Sequence, residues 1–599
     1  MGLSHSSSFH NSHVRTVGDS GSVVITPYSD VYPRLDVLDM YSNETLRPQF
    51  DLLVQSYQAL FDRSYEDMRS YYQIAGIHGL PYTAYDGVTG GAHQYNNGTD
   101  WAKGRWGGYC HHGDILFPTW HRPYMMLIES QLINEAKKIA AQYPDTEKEK
   151  YVEAANQLRH PYWDWADLKA IKGVPQFFTD LQLELNTPTG KKNVTNPLKR
   201  YYLPVNVSYP LAPGTNPTDK PNYTLPSMNF NPFTPAGYPT VRHPNAKYED
   251  RDDIMNINMS TYVQGVFRAG FYQMFHIDNY LHFSNHAVRG SNDTEMEDTN
   301  PGHPDPAQFV GYAHFASLET THDGFHLVTG GLAGHLSYPD ITGFDPLFFF
   351  HHVNIDRLFA LWQGVFPNSW LPESGVAING TYTDDLYNNV NENTSLTPFR
   401  KSTTDFWNSK DIRDIETLGY TYPELTKYKG QDPKNLQGYL LQLYKPDDHY
   451  GRRIYAKLTI QAGKLVGPYS IRVFLDLPSA DASTPVTSDH FAGFVAVWRS
   501  TTNSTYVTGT VDITSCMNKL GIRMEKHDYV GDVNATTGLV KPTSLFDVNN
   551  DIKIVPVMLN GTGVNIKDAG VTSVQVFSFE SDQVDPNFLV ESTGQFYGT

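Results

Sequence analysis

The chain has 599 residues, 40% of them hydrophobic and 18% charged, with a net charge of −18 and two cysteines. This composition fits a protein with a sizeable core and excludes a disordered chain, a disulfide scaffold and a zinc-finger array. The acidic balance argues against a general nucleic-acid binder or a ligand of anionic membranes, and no apolar run approaches the ~18 residues of a transmembrane helix.

The N-terminal stretch Met1–Arg15 is polar and has no apolar segment, so no classical signal peptide is expected. Met1, Gly2 and Ser6 match a myristoylation pattern, a short one that often matches by chance. Against a cytoplasmic location stand twelve Asn-x-Ser/Thr sequons, among them Asn43, Asn97, Asn193, Asn206, Asn222 and Asn560. About five would arise by chance, so the excess points to a secretory lumen or cell wall reached by a non-classical route, with a cytoplasmic protein of Ser/Thr/Asn-rich surface as the alternative.

The first two-thirds reads as helical with long loops. Phe50, Leu53, Val54, Tyr57, Leu60 and Phe61 recur at helical spacing. A second helix spans about His121 to Gln142, with Met125, Ile128, Leu132 and Ala136 on one stripe and Pro144 closing it. A third includes Leu318 to Val328 and a fourth runs from about Pro346 to Val365, while 175–250 reads as Pro/Asn/Thr/Tyr-rich surface loops. After about residue 425 the period changes to two, as in Ile454, Ala456, Leu458, Ile460 and in Ile471, Val473, Leu475, Leu477. The expected organisation is a mainly α catalytic core, a four-helix bundle, over 1–425, a polar linker over 426–450, and an antiparallel β-sandwich-like domain over 451–599.

Histidine is in excess, at 23, and clusters in two places: Cys110-His111-His112 through His121, and His322 through His326 followed by His351-His352. His322 and His326 are i and i+4 on a helix, so both imidazoles leave one face, as a helix does when it chelates a metal. His352 and Asp356 have the same spacing, and His121 shares the core stripe of Met125 and Ile128. The set is rich in imidazole and poor in thiolate and carboxylate, which suits copper better than structural zinc or non-haem iron.

These segments resemble the tyrosinase/catechol oxidase family of binuclear copper proteins, over about 45–425 and more loosely over 451–599 as in fungal tyrosinases. One family signature is matched by His112, Phe117, Trp120, His121, Arg122 and Glu129, the other by Asp345, Pro346, Phe348, Phe349, His352 and Asp356. The resemblance implies two copper ions, Cu A held by His78, His112 and His121 and Cu B by His322, His326 and His352. His93 is a rival to His78, and His111, His351 and His335 are expected not to bind metal. It further implies a thioether from Cys110 to His112, with an ordinary buried cysteine as the alternative. Glu319 and Asp323 would hold a water that deprotonates a phenol, unless they are plain helix acids, and Phe348 would line the pocket. Tyr420-Thr421-Tyr422 resembles the motif that closes the family's core.

The implied activity is o-hydroxylation of monophenols and oxidation of o-diphenols to o-quinones by O2, in melanin or phenolic pigment formation. A catechol oxidase without monophenol hydroxylation and a haemocyanin-like O2 carrier are the rival readings. The implied partners are a small phenol and O2, with no nucleic acid, and a homodimer is one assembly considered. The C-terminal domain would be inhibitory and push one ring into the pocket. Tyr506 is the first candidate and Phe494 the second, and both rings have the alternative of packing inside the β domain. Lys427, Lys429 and Lys434 offer cleavage sites in the linker.

Overall fold

A computed structural model describes residues 21–580 except 97–98, 208–235, 288–315, 447–451, 464, 466, 499–504, 523–528, 534–537 and 543–551. The N-terminal myristoylation pattern and the sequons at Asn97 and Asn222 lie outside the described residues, whereas Asn43, Asn193 and Asn206 are exposed.

Four long helices form the frame. Helix α1 (Arg47–Phe61) starts with Pro48 in its first turn and buries Phe50, Leu53, Val54, Tyr57 and Leu60 completely. Helix α2 (Phe117–Ala140) begins four residues before His121, because Phe117 and Trp120 extend the buried face toward the N-terminus. Helix α3 (Leu318–Gly330) is capped by Ser317, whose hydroxyl accepts the Thr320 N–H, and stops at Gly331 with φ of +66°. Helix α4 (Leu347–Val365) is buried along nearly its whole length. α1 packs on α2, α2 on α4, and α4 on α3.

The stretch expected as a linker is largely helical. Pro423–Tyr428 is a short helix, and α5 (Pro433–Tyr444) buries Leu436, Leu440 and Tyr444 against the core. Tyr444 Oη donates to Asp164 at 2.7 Å, and Gln437 Nε2 donates to the Phe275 carbonyl at 2.9 Å. The polar residues that suggested a linker are its solvent face, and Lys427 and Lys434 sit within these helices rather than in an open strand.

The C-terminal domain is one antiparallel sheet of eight strands: β1 (Arg452–Ala462), β2 (Tyr469–Leu475), β3 (Phe491–Val497), β4 (Thr505–Asp512), β5 (Tyr529–Val533), β6 (Leu539–Pro542), β7 (Ile552–Met558) and β8 (Val571–Glu580). Their order is β3-β2-β7-β6-β5-β8-β1-β4. The sheet folds over so that its end strands meet: a Cβ on Gly509 of β4 would stand 2.3 Å from Val495 Cγ1 of β3. This sandwich-like roll encloses Leu458, Ile460, Ile471, Val473, Val495, Val497, Val507 and Val574. Phe494, Ala496 and Trp498, on the other face of the β3 segment, join the core of the helical domain instead. Phe494 packs edge-on against Tyr262 at 4.8 Å, and Thr508 N–H donates to the His286 carbonyl at 3.1 Å.

A buried ionic cluster ties the helical core together. Asp356 of α4 accepts Arg122 Nε at 2.6 Å, Arg34 Nη1 at 3.0 Å, Tyr420 Oη at 2.9 Å and Tyr422 Oη at 2.6 Å. Glu129 of α2 takes Arg34 Nε at 2.8 Å and the His160 N–H at 2.7 Å. The two guanidinium groups hold the Asp356 carboxyl below the ordinary carboxylate range despite its burial. Asp356 therefore points at cations, one turn beyond His352, and is not itself among the residues facing a metal. Removing one partner of such a cluster leaves an uncompensated charge in the interior. Asp356→Asn is expected to cost about 3–5 kcal/mol and Tyr422→Phe about 1 kcal/mol. Thermal unfolding of the two variants checks this, and small equal shifts in midpoint would contradict it.

Candidate metal centre

Six imidazoles converge between α2, α3 and α4. His121 is on α2, His322 and His326 on α3, and His352 on α4. His78 and His112 come from irregular segments outside these helices, which is why helical spacing does not find them. The nitrogens of His78, His112 and His121 lie within 4.8 Å of one another, and so do those of His322, His326, His351 and His352. The two groups adjoin: the His121 and His352 rings stack at 4.4 Å and 16°.

The orientation of each ring follows from what its Nδ1 faces. His78 Nδ1 meets the Pro339 carbonyl at 2.9 Å, His121 Nδ1 the Phe117 carbonyl at 2.7 Å, and His326 Nδ1 the Leu336 carbonyl at 2.9 Å. A carbonyl only accepts, so these Nδ1 atoms carry the proton and leave Nε2 as a bare lone pair. His112 Nδ1 meets Glu319 Oε1 at 2.9 Å, and His322 Nδ1 meets Asp323 Oδ1 at 3.0 Å. Burial keeps all six rings neutral, His112 being pushed down to about 3 and the others well below the ordinary histidine value.

The resulting Nε2 atoms face one another. His78 and His112 approach to 3.3 Å, His326 and His322 to 3.0 Å, and His322 and His352 to 3.2 Å. His121 Nε2 is buried with no hydrogen-bond partner among the described residues. Lone pairs aimed at each other in a dry interior call for a cation between them. Two clusters of neutral imidazole, without thiolate, fit copper.

Glu319 and Asp323 are both buried, and their partners are imidazoles and backbone amides. Glu319 accepts the Gly113 N–H at 2.9 and 3.0 Å and the His286 N–H at 3.1 Å, besides facing His112. Burial raises its carboxyl to about 7, with the His286 ring and these N–H groups acting against that rise. Asp323 links the His322 ring to His286 Nδ1, at 2.9 Å. Both Glu319 oxygens are engaged by N–H groups and imidazole, whereas each Asp323 oxygen meets one imidazole, so both acids orient the rings they face. His286, overlooked in the sequence because it stands alone, completes this layer.

The other sequence candidates fall as follows. His93 is exposed, pairs with Asp385 and is not among the clustered imidazoles. His111 turns to Asp114 at 2.9 Å, and His335 Nδ1 accepts the Val241 N–H at 3.1 Å. His351 is a seventh imidazole beside the six: one of its nitrogens lies within 4.8 Å of the second group and both are buried without a hydrogen-bond partner among the described residues, while its ring lies flat on Phe325, at 4.1 Å and 7°. Phe348 packs against the His78 and His352 rings, at 5.0 and 4.2 Å. Cys110 is buried; its Sγ accepts Trp106 Nε1–H at 3.0 Å and donates to the His78 carbonyl at 3.1 Å.

The ring on top of the centre is Trp498. It stacks on His326 at 4.0 Å and 9°, stands edge-on to His322 at 5.2 Å and His112 at 5.3 Å, and donates Nε1–H to the Ser337 carbonyl at 2.7 Å. It is the residue just past β3, on the same strand face as Phe494 but four residues farther on, about 13 Å along the strand. Phe494 itself packs on Tyr262, with its ring tip 3.7 Å from where a Cβ of Gly324 would stand on α3, and has no ring contact with the six imidazoles among the described residues. Tyr506 lies on β4 opposite Gln461, and its side chain is outside the described residues. Trp498 closes the apolar run from Phe494, but nothing in its sequence neighbourhood marks it as more than a strand end.

Residues 68–365 match the family model described as the common central domain of tyrosinase. The chain is 34% identical to a tyrosinase of Podospora anserina over 454 residues, covering 74% of this chain and 70% of that protein. It is 30% identical to polyphenol oxidase 2 of Agaricus bisporus, covering 72% of this chain and 67% of that one. Among solved structures, a mushroom tyrosinase crystallised in coexisting latent and active forms superposes with a TM-score of 0.66 at 22% identity, over 93% of this chain and 98% of that one. A holo-protyrosinase of Aspergillus oryzae gives 0.67 at 21%, over 94% and 97%. With two imidazole clusters suited to a copper pair and these similarities, the chain belongs to the tyrosinase family and is a copper-dependent phenol oxidase.

Proposed function

We propose that the chain is a latent tyrosinase that acts on both monophenols and o-diphenols in pigment formation, with Trp498 holding the place of the substrate ring. The observation that carries this reading is the stacking of the indole on His326 while its edges meet His112 and His322, one ring touching both imidazole clusters. An inhibitory ring tethered to the same chain has a high effective concentration and needs little intrinsic affinity. The solved relatives named as latent and pro forms support the same reading.

Bound copper would supply the activation of O2 and accept the electrons of the ring. The protein's part is to orient the imidazoles, to exclude water and to present a flat slot above His326. The Nδ1 anchors hold the first task, and burial of the whole layer holds the second. A thioether from Cys110 to the His112 ring belongs to this proposal; the S–H and a ring C–H would give way to an S–C bond, with the two protons and two electrons passing to O2, and a fixed link to a copper ligand would replace the thiol's bond to the His78 carbonyl. The exposed sequons at Asn43, Asn193 and Asn206 support passage through a secretory compartment.

His326→Ala is expected to lower bound copper from two per chain toward one and to abolish phenol oxidation; metal analysis showing two retained coppers would refute its assignment. Asp323→Asn, which weakens the hold on the His322 ring, is expected to lower copper affinity about 10–100-fold, as read by competition with a chelator. Copper affinity unchanged in that variant would remove the positioning role. In full-length protein, Trp498→Ala should raise turnover of a monophenol and of a catechol at least about tenfold by vacating the slot. A Tyr506→Ala chain serves as the comparison. Release of activity by the tyrosine variant alone would move the blocking role to Tyr506.

A further inference from the structure

Trp498 reports more than the position of a blocked slot, because one of its contacts is chemically selective. Any flat ring can stack on His326. The 2.7 Å bond to the Ser337 carbonyl requires an N–H or O–H donor lying in the plane of that ring. Ser337 is fully buried, and among the described residues its carbonyl has no other donor. An aromatic group without a donor at that point leaves a desolvated carbonyl to a water or to nothing.

The loop that carries this carbonyl is tightly set. Gly331 and Ala333 have φ of +66° and +59°. A Cβ on Gly330 would stand 2.3 Å from the Ser337 nitrogen, and one on Gly334 2.0 Å from the Gly330 carbonyl oxygen. His335 fastens the loop to Val241, donating its N–H to the Val241 carbonyl at 2.9 Å. The preceding carbonyl, Leu336, anchors His326 Nδ1. Consecutive carbonyls of one loop thus fix both the ring on which a substrate stacks and the acceptor at its edge.

We propose that the Ser337 carbonyl is a specificity determinant, selecting phenols that carry an in-plane N–H donor on a fused ring, the hydroxyindoles as a class, over phenols of equal size without it. The inference rests on reading Trp498 as the occupant of the substrate's place. The test uses full-length, copper-loaded Trp498→Ala protein. Equilibrium titration under exclusion of O2 compares indole with benzofuran, which has the same outline but an ether oxygen in place of N–H. Indole should bind roughly tenfold tighter, the size of one buried hydrogen bond. The ratio of kcat/KM for 5-hydroxyindole over 5-hydroxybenzofuran should move the same way. Equal binding of the two rings, in protein that turns over catechol, would overturn donor selection while leaving the placeholder reading intact. Failure of the variant to bind either ring or to oxidise catechol would overturn both. Trp498→Phe provides a second arm: it keeps a stacking ring but leaves the carbonyl unpaired. That full-length variant should be less latent than the parent, and equal latency would count against the bond.

Discussion

A set of neutral imidazoles packed into a dry interior is the constraint from which the rest of this molecule follows. A buried imidazole needs an acceptor for its one proton, and at five of the six positions Nδ1 finds one: three backbone carbonyls and two carboxylates. That choice fixes the tautomer and turns the lone pairs inward, toward each other. Without a cation the arrangement would be repulsive, and with one it becomes a ligand field. The loops at Pro339 and Leu336 and the buried acids on α3 are therefore parts of the metal site, although none of them need touch a metal.

The ionic cluster around Asp356 serves the same end from farther away. It joins the segment before α1, helix α2, helix α4 and the Tyr420–Tyr422 segment through one carboxylate. Helices α2 and α4 carry His121 and His352, whose rings stack across the centre. A cluster that fixes these two helices also fixes the separation of the two imidazole groups. Each carboxylate has several partners, which offset part of the cost of burying it, while Arg34 Nη2, Arg122 Nη2 and Glu129 Oε1 find none among the described residues.

Much of this was legible in the sequence because it obeys a local period. The i, i+4 pair His322 and His326, the alternation of the strands and the apolar stripe of α1 are written in spacing alone. His78 and His112 sit on irregular chain, so spacing is silent there and only the family resemblance reaches them. The helix at 433–444 carries Leu436, Leu440 and Tyr444 at helical spacing, but the polar, Gly- and Pro-punctuated residues around them give the stretch the look of a linker. His286 and Ser337 act through contacts with residues distant in sequence or through a main-chain carbonyl, and neither leaves a pattern to read. Tyr506 and Phe494 stand out in the sequence as aromatics of the C-terminal domain. What brings Trp498 onto the imidazoles is the reach of one strand over the helical core, a tertiary fact.

The pleat of β3 has a further consequence. Val495 and Val497 fill the inside of the rolled sheet while Phe494, Ala496 and Trp498 turn to the helices, so the domain's stability and its hold on the copper site are written on opposite faces of the same few residues. The indole is in place only because its position has the right parity. Insertion of a single residue within β3 ahead of Trp498 would turn the indole toward the interior of the roll and bring the Val497 side chain to the mouth of the slot. Exchange of this ring for another aromatic therefore disturbs the delivery less than a change in the length of the strand that carries it.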